Sequence, residues 1–152
     1  MKDYLRDYAT AAFLFYAKNG MSSEKYKEKI YNETLEQIRK KEACVKDGIS
    51  KPTEAAVMAA EKAMDEKVAE IRDMEAVEKV LLRFKGAKRL YVVQAIEIVY
   101  FKNYNKDLSL GDIQDRVRNA AIQIPASERS IYYWLKQSRE LFSYERGLRI
   151  AN

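Results

Sequence analysis

Between Ser127 and Lys136 the chain reads Ser-Glu-Arg-Ser-Ile-Tyr-Tyr-Trp-Leu-Lys. A carboxylate, a guanidinium fork, hydroxyls, phenols and an ammonium lie close together there, and their shared chemistry is recognition through hydrogen bonds. Set on one side of a helix, Glu128, Arg129, Ser130, Tyr132, Tyr133 and Lys136 present the kinds of donor and acceptor that read base edges in a major groove. The bond-making alternatives find little support. The chain has no histidine, and its one cysteine, Cys44, therefore has no imidazole base to activate it. No glycine-rich phosphate loop occurs. Acid pairs such as Asp112 with Asp115, or Asp65 with Glu66, are too common a pattern to single out as metal or acid/base sites. The expectation is no enzyme, no cofactor and no metal.

These groups need a helix with a defined start. Pro125 disfavours helical geometry in Ile124, and Ser127 is a good cap for the free amides of the turn that follows, so a helix begins near Glu128. Ile131, Leu135, Ser138 and Leu141 or Phe142 then recur at spacings of three and four, with Trp134 beside them, as the inward stripe. Gly147 stops the helix and turns Leu148 or Ile150 back onto the domain. A partner helix precedes it, capped by Ser109, with Leu110, Ile113, Val117 and Ala120 inward. The segment from Arg118 to Ala126 reads as the connection, several residues longer than a minimal tight turn.

The order of apolar helix, turn, Ser-Glu-Arg-Ser-Ile-Tyr, long helix and Arg-Gly-Leu resembles the C-terminal helix-turn-helix of the sigma-factor region 4 type. It is also similar to small phage late-gene transcriptional regulators of the ArpU and RinA kind. The resemblance covers roughly residues 66 to 149. It implies a DNA-binding module over residues 66 to 150, double-stranded DNA as the partner, and activation of transcription through RNA polymerase.

Charge is unevenly placed. Residues 1 to 78 hold 14 Lys and Arg against 16 Asp and Glu, net −2, whereas residues 79 to 152 hold 14 against 7, net +7. A basic half bearing the recognition residues is the asymmetry expected of a chain that meets a polyanion. Arg116, Arg118 and Arg139 are candidates for backbone phosphates. Lys79, Arg83, Lys85, Lys88 and Arg89 form a second cluster around a break at Gly86, with no acidic residue from 79 to 89, suited to holding phosphates without reading sequence.

The remaining chain reads as helices. Residues 2 to 18 carry Tyr4, Leu5, Tyr8, Ala12, Phe15 and Tyr16 along one side and end at Asn19-Gly20; residues 24 to 43 put Tyr26, Ile30, Tyr31, Leu35 and Ile38 inward. These two are expected to pack as an antiparallel pair. Residues 44 to 53 form a linker, with Thr53 as the next cap. From 54 to 84 no breaker occurs, and a helix of about 30 residues would be about 45 Å long. Such a helix either breaks near Arg72-Asp73 or projects, and its alanine-rich start suits either an interface joining two copies as a homodimer or a scaffold helix packed on the N-terminal pair. Residues 90 to 101, Leu-Tyr-Val-Val-Gln-Ala-Ile-Glu-Ile-Val-Tyr-Phe, form the central buried helix, with Gln94 and Glu97 on one narrow polar stripe.

Few glycines and prolines and plentiful Ala, Glu, Lys and Leu make this an all-α chain. Its expected parts are an N-terminal helical hairpin (1–43), a linker (44–53), a long connecting helix (54–84) and a C-terminal helix-turn-helix module (85–152). No apolar run reaches the roughly 20 residues that cross a bilayer, and a single cysteine suits a reducing cytoplasm. Two functions from different classes fit: a sequence-specific DNA-binding regulator, or a helical phage assembly or packaging adaptor that oligomerises without reading sequence.

Overall fold

The computed structural model describes residues 3–43, 54–102 and 110–148. The regular structure among them is helical throughout, as expected: α1 (Tyr4–Asn19), α2 (Ser23–Ala43), α3 (Glu54–Glu66), α4 (Val68–Gly86), α5 (Leu90–Ile96) continued by a π-helical turn (Glu97–Phe101), α6 (Leu110–Gln123) and α7 (Glu128–Arg146). The linker at 44–53 with its Thr53 cap, the loop at 103–107, the Ser109 cap and Ile150 lie outside the described residues.

The chain divides into two units, Met1–Gly20 with Asp73–Asn152, and Met21–Arg72. The division falls at Arg72 and Asp73, but α4 runs through that point. The helix expected over 54–84 is interrupted instead at Lys67, whose amide bonds back three residues to the Met64 carbonyl at 3.1 Å. No glycine or proline marks this break. The division also separates the two helices expected to pair, since α1 belongs to the larger unit and α2 to the smaller.

In the smaller unit α2 packs along α3. Ala56 and Ala60 are fully buried, and their small side chains let the two backbones approach. Tyr26, at the start of α2, donates its phenol proton to Glu70 at 2.5 Å, and Lys67 pairs with the same carboxylate at 3.6 Å. The start of α2 therefore lies beside the segment that follows α3, an antiparallel arrangement. Of the two expectations for the alanine face, an interface between copies or packing on the N-terminal helices, α2 of the same chain lies against it.

The core of the larger unit is built around three rings. Phe13 of α1 stacks on Tyr100 of the π-helical turn with centroids 5.4 Å apart and planes 17° apart, and Phe142 of α7 meets Phe13 at 5.9 Å. Val77 and Val80 of α4, Val92 and Ile96 of α5, Val117 and Ala120 of α6, and Ile131 and Leu135 of α7 close the core. Each side chain of Ile or Leu size buried in this way contributes about 1.5–3 kcal/mol. The inward face of α1 is rotated from the expected one: Ala9, Ala12 and Phe13 are buried, while Tyr4 is 77% exposed. Phe13 is drawn inward because the aromatic stack offers it a partner that helical spacing alone does not reveal.

Residues 90–101 are helical and largely buried, with Gln94 and Glu97 on the exposed side. The helix ends in a wider turn, closed by the Lys102 amide bonding to the Glu97 carbonyl five residues back at 2.9 Å. The wider turn changes the angular register of Ile98, Val99 and Tyr100, and all three are buried. The π-helical turn meets α1 and α6, and α5 meets α7.

A polar staple joins α1, α4 and α7 at the edge of this core. Tyr8 donates to the Asp73 carboxylate, whose two oxygens lie 2.8 and 2.9 Å away, and Arg146 Nε reaches Asp73 Oδ1 at 2.7 Å. The Asp73 and Arg146 side chains are each 16% exposed, so removing one leaves the other poorly solvated. Asp73→Ala should cost about 2 kcal/mol in a urea melt, and Tyr8→Phe about 1 kcal/mol. Burial, and then the hydrogen bond to Asp73, raise the Tyr8 phenol above its ordinary value of 10.0. The folded chain holds this proton where the unfolded chain releases it. Stability is therefore full below pH 10 and falls as pH rises beyond it, and Tyr8→Phe should make that alkaline decline shallower.

Candidate nucleic-acid interface

The connection between α6 and α7 is Ile124 to Ser127, four residues, and so shorter than the expected Arg118–Ala126 segment. Helical bonding persists through Asn119 to Gln123 and ends with the Ile124 amide on the Ala120 carbonyl at 2.7 Å. Pro125 has no amide to continue the ladder, and the Ile124 side chain is buried, which anchors the turn. Ser127 is extended (φ −75°, ψ 153°) and its Oγ accepts from the Ser130 amide at 3.1 Å, so α7 starts at Glu128. At the far end Gly147 is left-handed (φ 75°), and Leu148 packs back on the core.

Ile131, Leu135, Ser138 and Phe142 lie on the buried side of α7, with Trp134 and Leu141 half-buried. At 3.6 residues per turn the opposite side carries Arg129, Tyr133, Lys136 and Glu140, all exposed. Tyr132 is 43% and Tyr133 57% exposed, and they flank the Arg129–Lys136 line. Five of the six groove candidates, Glu128, Arg129, Tyr132, Tyr133 and Lys136, are therefore exposed on the first turns of α7. Ser130 is half-buried, and its hydroxyl is used in the cap, accepting from Ser127 Oγ at 2.9 Å. Glu140 ends the basic stretch, because a carboxylate at that point repels phosphate.

The three arginine candidates for phosphate contact part company. Arg118 is exposed, between Asp115 at 3.7 Å and Glu128 at 3.6 Å, and bridges α6 to the first turn of α7. Arg116 and Arg139 are half-buried and bonded within the fold. Arg116 Nη1 donates to the Val99 carbonyl at 2.8 Å, a group that the end of the π-helical turn leaves without a helical partner. Arg139 Nη1 donates to the Tyr100 phenol oxygen at 2.9 Å.

The α4–α5 corner divides in the same way. Lys79, Lys85 and Lys88 are exposed. Arg83 pairs with Glu145 of α7 and lies 5.9 Å from the centroid of the Tyr144 ring. Arg89 donates to Gln137 Oε1 at 2.9 Å and to the Tyr91 phenol at 3.1 Å, with its guanidinium over the rings of Phe84 and Tyr91. Gly86, expected as the break, is the last residue of α4, and the left-handed position is taken by Lys88 (φ 59°). Tyr91 meets Trp134 at 4.6 Å, and Tyr144 is 68% exposed beside Arg83. No helical spacing signals Tyr91 and Tyr144, because the packing of the corner on α7 sets one against Trp134 and the other beside Arg83.

Among the described residues no group of three or more Cys, Asp or Glu side chains is gathered to hold a metal ion, and no helix is long and apolar enough to cross a membrane. No family model, curated protein or solved structure matches the chain. Fold and geometry define it as an all-helical protein whose last helix exposes a short ridge of tyrosines and cations.

The two kinds of cation should separate in a urea melt. Arg139→Ala strands a buried phenol and should cost about 1–2 kcal/mol, while Lys136→Ala, on the exposed ridge, should stay within about 0.5 kcal/mol of the parent.

Proposed function

We propose that the chain is a sequence-specific DNA-binding transcriptional regulator in which α6 and α7 act as a helix-turn-helix. The observation that carries this reading is the exposed ridge on the first turns of α7. Arg129 offers the planar fork that pairs with the O6 and N7 of guanine, Glu128 can accept from the cytosine amine, and Tyr132, Tyr133 and Lys136 complete a set of side chains that reach base edges. The four-residue connection has the length such motifs use. Arg118 of α6, beside the first turn of α7, would with Lys79, Lys85 and Lys88 meet phosphates and fix orientation without conveying sequence. Arg116 and Arg139, bonded within the fold, are left out of this contact set. Recruitment of RNA polymerase, implied by the resemblance to sigma region 4 and to phage late regulators, belongs to the same proposal, as does a cytoplasmic location.

The separate unit formed by α2 and α3 favours a second reading, in which this hairpin is a protein-contact arm of an assembly adaptor. Solution mass divides the two, since a closed ring of many copies would suit the adaptor and a monomer or dimer the regulator.

Selection of bound duplexes from a random pool at two salt concentrations tests the first reading. A regulator enriches a motif that persists at the higher salt, because the phosphate contribution alone fades with salt. On that motif Arg129→Ala should cost about 1–3 kcal/mol and relax the preference at one base pair. Lys136→Ala, combined with it, should weaken binding further while the helical spectrum stays unchanged. Unaltered affinity in the double variant would remove α7 as the reading element.

A further inference from the structure

The α4–α5 corner carries, beside its lysines, aromatic rings that duplex reading does not use. Two ring and guanidinium clusters lie along this corner: Arg83 beside Tyr144, and Arg89 over Phe84 and Tyr91 with Tyr91 against Trp134; Trp134 and Tyr144 are about 15 Å apart on α7, a span of a few nucleotides. Tyr144 and Tyr91 remain 68% and 38% exposed. Lys85 and Lys88 stand exposed at the turn between the two helices.

Lys88 holds a left-handed backbone, φ 59°, that glycine adopts without a Cβ penalty. The chain thus carries a cation at the tip of this corner at some expense in stability, and such outliers cluster where a side chain has a use.

From this we infer that the corner is a stacking site for single-stranded nucleic acid, with Tyr144 and Tyr91 receiving bases and Lys85 and Lys88 meeting the backbone. Rings interleaved with cations suit unstacked bases on a charged strand, because every base offers a π-face and arginine adds cation–π attraction. A duplex keeps those faces hidden. A second copy of this chain would bring the cations of both corners together. An acidic helix would seek aliphatic anchors in a groove, whereas the guanidinium groups here lie against rings, Arg83 at Tyr144 and Arg89 at Tyr91. The site goes beyond the duplex reading and does not depend on it.

The test is titration of the full chain with a labelled 15-nucleotide oligothymidine at low salt, read by anisotropy and by emission of Trp134, the one tryptophan. The parent should bind and its emission should be quenched. Tyr144→Ala should weaken binding about tenfold, within the range of one lost base stack. Lys88→Gly should weaken it about threefold while raising the melting temperature, a pairing of opposite signs that a merely structural lysine would not give. Lys62→Ala, exposed on α3, should leave oligothymidine affinity within about twofold. The proposal fails if Tyr144→Ala and Lys88→Gly bind as the parent does, if Lys62→Ala weakens binding as much as they do, or if poly-glutamate displaces the strand as readily as unlabelled oligothymidine does. The last outcome would make the corner a general polyanion or acidic-protein surface.

Discussion

A phenol at 2% exposure needs a hydrogen-bond partner, and the Tyr100 hydroxyl obtains one from Arg139. The ring below that hydroxyl stacks on Phe13, and Phe13 in turn meets Phe142. This single side chain therefore ties α1, the π-helical turn and α7 together, through packing on one edge and a charge-assisted bond on the other. The constraint also sets the rotation of α7. With Phe142 held in the stack and Arg139 directed at the phenol, Arg129 and Lys136 are carried round to the side that faces solvent. The accessibility of the proposed recognition residues is thus decided in the core.

The wider turn at Glu97–Phe101 belongs to the same arrangement. A regular helix repeats its inward face every three or four residues, whereas Ile98, Val99 and Tyr100 are all buried in succession. They find partners because α1 and α6 lie against this turn. The helix end exposes carbonyls that need donors, and Arg116 answers one of them.

What could be read from the chain follows from how local each signal is. The start, stripe and end of α7 depend on Pro125, Ser127, a three-and-four spacing and Gly147, all contained within the segment, and the structure has them where the residues put them. Residues 118–123, expected in the connection, carry no stop signal before Pro125, and α6 continues through them to Gln123. The interruption at Lys67 has no breaker residue, and the left-handed Lys88 sits two places after the glycine that advertised a turn. Phe13 over Tyr4 as the inward residue of α1, and the separation of α1 from α2, depend on partners distant in the chain, which periodicity cannot report. The exposed placement of Glu128, Arg129, Tyr132, Tyr133 and Lys136 was legible; the internal use of Ser130, Arg116 and Arg139 was not.

That last difference bears on how charge should be weighed. The +7 of the C-terminal half counts all cations alike, yet Arg83 and Arg146 are paired with carboxylates, Arg118 lies between two, and Arg89, Arg116 and Arg139 are bonded to neutral groups. Arginine suits these internal roles because its rigid fork and weak hydration let it satisfy several buried acceptors at once. Among the described residues of this half, Arg129 is the arginine left exposed with neither a carboxylate nor a core partner. The remaining free positive charge is largely lysine, a mobile point charge that attracts a polyanion without reading it. Among the described residues the exposed charge of this half is thus mostly lysine, and under the proposed reading Arg129 is where a sequence-reading contact would be made.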